Sequence, residues 1–181
     1  MDNNSPELPQ RTPEERRKDV LDASIRDYLA RYREAYNQVD NDTILLIRDI
    51  GLQVLSYNDE QLKSQAAKLD NDIPSDDLLA LDERERLGSL TDAYKLDKDP
   101  SYTDSGKTPE EREEFAVNVL RKRVAVRLFN LSYLKDPHQN GTYKEVYKSE
   151  PFKQGHGLLV SLLKEAHNTL HPPQTPPPTV Q

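Results

Sequence analysis

The chain has no cysteine and no tryptophan, a single methionine, and only six glycines in 181 residues. Without a thiol there is no disulfide scaffold, no thiolate nucleophile, no cysteine-ligated zinc and no iron–sulfur cluster. No apolar run exceeds four residues, the length of Ile44–Ile47, so no segment reads as a membrane span. The opening Met1-Asp2-Asn3-Asn4 has neither the basic start nor the apolar stretch of a secretion signal. These absences predict a soluble protein of the cytoplasm, or of the nucleus in a eukaryotic cell, with no membrane partner.

What the chain does have is charge and helical periodicity. Acidic side chains outnumber basic ones by 32 to 25, a formal charge of −7. Thr12-Pro13-Glu14-Glu15 reads as a helix start: a cap, a proline where no donor is needed, and a glutamate that reaches back to the cap. Leu21, Ile25, Tyr28, Tyr32, Ala35 and Val39 then recur every three or four places, predicting a helix over 13–38. Residues 44–57 are apolar around most of a helical circumference, which predicts a central helix. A shorter helix is expected over 59–69, opened by Asn58, and an acidic outer helix over 75–96. A loop over 97–107 follows. Thr108-Pro109-Glu110-Glu111 repeats the first helix start and opens a long central helix over 108–135. Thr142 with Glu145 predicts a short helix. Gly155-His156-Gly157 reads as a hinge ahead of a last helix over 158–170.

The expected fold is therefore all-α: one compact bundle of about six helices over 12–170. A disordered lead is expected over 1–11 and a proline-rich tail over 171–181, where Pro172 and its successors cannot continue a helix.

No motif for a chemical site is complete in the sequence. Gly106-Lys107-Thr108 has the ending of a phosphate-binding loop, but Ser101 stands where its first glycine belongs and no buried strand precedes it. The acidic turn at Asp97 puts Tyr102 and Thr108 where a calcium loop needs glycine and glutamate. His167 and His171 lie one helical turn apart without an acidic residue to complete a metal motif. No catalytic residue, metal site or cofactor is predicted.

Two features point to partners instead. Residues 70–99 carry ten acidic and four basic side chains, a net of −6, whereas 115–153 carry eight basic and three acidic, a net of +5. The basic segment, with Arg121, Arg123 and Arg127, reads either as a face for an anionic partner or as the counter-charge of the acidic helix. The second feature is tyrosine. Tyr28, Tyr32 and Tyr36 form a ladder at helical spacing, and Tyr143 and Tyr147 form a pair. Such amphipathic rings suit a bundle rim or a protein interface. The sequence thus predicts a non-enzymatic helical interaction module: an adaptor, an assembly factor or a small subunit of a larger complex. Its expected partner is another protein or a protein complex, and a homo-oligomer is compatible with the same features. The alternative is a nucleic-acid-associated protein that uses the basic face on 115–153.

Overall fold

The computed structural model describes residues 10–71, 88–102, 106–134 and 143–172. They form seven helices and, among the described residues, no strand: α1 (Pro13–Arg31), α2 (Asn41–Ser56), α3 (Asp59–Asn71), α4 (Leu90–Lys98), α5 (Pro109–Leu134), α6 (Tyr143–Lys148) and α7 (Glu150–Leu170). No described helix is long and apolar enough to cross a membrane.

The helix starts are set by side chains. At α1 the Thr12 backbone donates to Glu15 at 2.8 Å while the Glu15 N–H donates to the Thr12 hydroxyl at 3.2 Å. Thr108 and Glu111 repeat the pair at α5, at 2.7 and 3.2 Å. Asn58 and Gln61 make the amide version at α3. Each reciprocal pair satisfies two of the backbone donors that a helix start leaves free. Asp40, Ser89 and Ser149 cap α2, α4 and α7 singly.

Four helices, α1, α2, α5 and α7, make the bundle. Helix α2 packs on α1, α5 and α7, and α7 packs on α1, α2 and α5. Their directions alternate. The first turns of α1 and α5 and the last turns of α2 and α7 all border one cleft, so they share one end. At the other end Thr43 of α2 and Phe129 of α5 meet Gly155 of α7. The core is made by Leu21 and Ile25 of α1, Ile47, Ile50 and Val54 of α2, Val124 and Phe129 of α5, and Leu158, Leu159 and Leu162 of α7. Helices α3 and α4 lie outboard on α5, burying Leu62, Ala66 and Leu90, and α6 packs on α7.

Several expectations are corrected. The first helix ends at Arg31 rather than Gln38, and residues 32–38 are a chain of tight turns, with Ala35 donating to the Tyr32 carbonyl at 3.0 Å. Apolar spacing continues because turns closed at three and four residues keep Tyr36 and Val39 on the core side. The expected hinge at Gly155-His156-Gly157 lies inside α7, which starts at Glu150 behind the Ser149 cap, with Pro151 in its first turn. Glycine serves packing there: a Cβ on Gly155 would stand 3.0 Å from both the Phe129 ring and the Thr43 methyl. Of the acidic outer helix, 75–87 falls outside the described residues; its described part is α4, which runs on to Lys98 and so takes the first two residues of the expected loop. Residues 1–9 of the lead and 173–181 of the tail also fall outside the described residues.

Candidate functional site

A cleft of about 1090 Å³ opens at one end of the bundle. The first turns of α1 and α5 form two walls of the cleft. The α1 wall carries Arg11, Arg16 and Arg17, and the facing wall carries Glu110, Glu113 and Glu114 of α5, with Asp59 at the start of α3. Leu55 and Tyr57 from the end of α2, Val117 of α5, and His167 and Leu170 of α7 form the floor.

On each wall one charge is already spent and the others are not. Arg11 pairs with Asp19. Glu113 is fully engaged: Lys98 Nζ lies 2.6 Å away, Lys63 Nζ 3.2 Å away, and the Tyr94 hydroxyl donates to it. Both lysines also stand over the Tyr94 ring. The Lys98 and Tyr94 hydrogen bonds hold the Glu113 carboxyl down at about 2. By contrast Arg16, Arg17, Asp59, Glu110 and Glu114 have no ion pair among the described residues.

Arg121 lies at the floor. Its Nη1 donates to the carbonyls of Val54 and Tyr57, at 2.7 and 2.8 Å, and so closes the C-terminal end of α2. Burial pushes this guanidinium below its ordinary value, and the Asp59 charge opposes that in part. Beside it, burial lowers His167, with electrostatic repulsion from His171 and Arg121 adding to the effect and Glu114 opposing it. The rings of His167 and His171 are 4.9 Å apart. Among the described residues, no three histidines, aspartates or glutamates converge to hold a metal ion.

The other residues singled out in the sequence are dispersed. Arg123 Nη1 is 3.1 Å from the buried Asp97 carboxylate of α4. Arg127 is 0 % exposed; its Nη2 donates to the Gly88 carbonyl at 2.7 Å and its Nη1 lies 3.9 Å from Asp70. The two residues therefore bind α5 to the outboard layer. Tyr28 is half-buried, and the neighbouring Glu165 carboxylate raises its hydroxyl above the ordinary value, with burial adding to it. Tyr32 is exposed with its ring 5.3 Å from that of Tyr28, and Tyr36 is half-buried in the turn after α1. The ladder is thus broken where α1 stops. Tyr147 is buried edge-on against Phe152, in a cluster with Phe129 and Tyr133. Tyr143 opens α6, its side chain outside the described ones.

Sequence reasoning missed the cleft itself. Its one textual signal was the doubled Thr-Pro-Glu-Glu start, since the helices that begin with it supply the two walls. The chain matches no model of a protein family, no curated protein and no solved structure.

Proposed function

We propose that the chain is a non-enzymatic docking module, an adaptor or small subunit, whose end cleft receives a helical segment of a partner protein. The observation that carries this reading is the set of uncommitted wall charges, Arg16 and Arg17 facing Glu110 and Glu114 over a floor that includes Leu55, Val117 and Leu170. A partner helix with an apolar stripe, an acidic edge toward α1 and a basic edge toward α5 complements all three surfaces. Opposed walls also fix which way such a helix lies, because the reversed orientation sets like charges against each other. A nucleic-acid partner gains less support, since Arg123 and Arg127 are engaged within the fold and one wall of the cleft is acidic.

Affinity capture with purified protein and lysate of its native cell tests the reading. The wild type retains a partner that is lost both with Arg16→Glu/Arg17→Glu and with Glu110→Lys/Glu114→Lys, while circular dichroism shows all three proteins folded. A partner held equally well by both reversed variants refutes the cleft as its docking surface.

A further inference from the structure

A second concavity lies on the side of the bundle, in the groove between α5 and α7. It is small, about 200 Å³, and is lined by Asn118, Arg121, Lys122, Lys164, His167 and Asn168 over Val119, Val160 and Leu163. Every charged residue in this lining is basic. In a chain with 32 acidic side chains and a net charge of −7, a groove bordered by three full cations and no carboxylate is a local inversion of the overall charge.

The cations are also uncommitted. Lys122 and Lys164 are exposed and have no ion pair among the described residues. Arg121 is half-buried and anchored through Nη1 alone, by two backbone carbonyls and no carboxylate, which leaves Nε and Nη2 without an acceptor among the described residues. A guanidinium fixed at one nitrogen presents its other donors as a rigid fork, the arrangement that suits the paired oxygens of a carboxylate or phosphate. The amides of Asn118 and Asn168 add neutral donors at the rim, and the valines and Leu163 offer an apolar surface for the atoms that carry the anion.

From this juxtaposition we infer that the α5–α7 groove is a binding site for a small oxyanion, a carboxylate or phosphate group, with Arg121 as its fork and Lys122 and Lys164 as its flanking charges. The groove adjoins the end cleft, with which it shares Asn118, Arg121 and His167, but Lys122 and Lys164 belong to the groove lining and not to the cleft lining, so the double variant tests the groove apart from the docking of a partner helix. The groove has room for one such group and a short apolar stem, not for a length of polyanion.

Nuclear magnetic resonance titration of the full chain with sodium phosphate and, separately, sodium acetate, at ionic strength matched with sodium chloride, tests it. Saturable shifts are expected at Asn118, Asn168 and the His167 ring, and the tighter of the two anions identifies the ligand class. Lys122→Ala/Lys164→Ala, both at exposed positions, keeps the fold and weakens binding by roughly tenfold or more. Arg121→Gln abolishes saturation, with the amide spectrum of α5 and α7 reporting that those helices persist. Shifts that rise linearly as they do in chloride, or that survive unchanged in the double variant, overturn the site.

Discussion

Glu113 shows how a single side chain is placed to do two things. It closes the α5 wall of the cleft and ties α3, α4 and α5 together through Lys63, Tyr94 and Lys98. Because its carboxyl is held at about 2 against an ordinary 4.5, the folded state binds fewer protons than the unfolded chain between those values. The stabilisation is fully present above pH 4.5 and is lost as the pH falls toward 2. Glu113→Gln is expected to cost about 1 kcal/mol near neutrality, a figure kept low because the side chain is one-third exposed. Urea midpoints of the two proteins should converge as the pH is lowered through that window. A constant gap would show that the carboxylate charge is not what ties the helices. Nothing in the sequence marked Glu113 out from its neighbours, since its three partners come from segments 15 to 50 residues away. Arg123 and Arg127 were visible as charges, but their counter-charges Asp97 and Asp70 could be assigned only once α3 and α4 were seen to lie on α5.

At the scale of elements, the sequence was legible wherever local chemistry decides. The Thr12, Asn58 and Thr108 starts, the all-round apolar α2 and the long α5 follow from capping residues and periodicity. It was not legible where tertiary contact decides. No glycine or proline stops α1 at Arg31; the following turn is secured from 116 residues away, by Gln154 accepting from the Gln38 N–H at 2.8 Å and donating to the Asn37 side chain. The glycines of α7 look alike in sequence and differ in space. A Cβ on Gly155 meets the Phe129 ring and Thr43 at 3.0 Å, whereas one on Gly157 meets nothing within 4 Å. Gly157→Ala should therefore stabilise by about 0.5–1 kcal/mol, the helical cost of glycine. Gly51→Ala should destabilise by about 1 kcal/mol or more, because its Cβ would lie 2.8 Å from the fully buried Leu21 and overpacking outweighs the propensity gain. Thermal melts of the two variants check both signs.

The whole molecule has a pairing pattern that survives an exchange of its halves. Swapping α1 with α5 and α2 with α7 turns α1–α2 packing into α5–α7, turns α1–α7 into α2–α5, and maps α2–α7 onto itself. The repeated helix starts, Thr12 to Arg16 and Thr108 to Arg112, fall on exchanged helices, so the sequence echo and the spatial one coincide. The sequence alone left that echo as two copies of a good cap, because the residues beyond it diverge. One consequence follows from Asp70. It accepts from the Ser89 and Thr91 hydroxyls and the Leu90 and Thr91 backbone at 2.9–3.0 Å, while Arg127 grips Gly88 from α5. Both banks of the stretch between Asn71 and Gly88 are thereby moored independently of the strand of chain that joins them. The protein should therefore behave as a split pair. Cleaved by an inserted protease site at residue 80, its two pieces should co-elute in gel filtration, and the separately expressed halves should reassemble on mixing. In cells, such halves would serve as a reporter that regains its shape only when both are made.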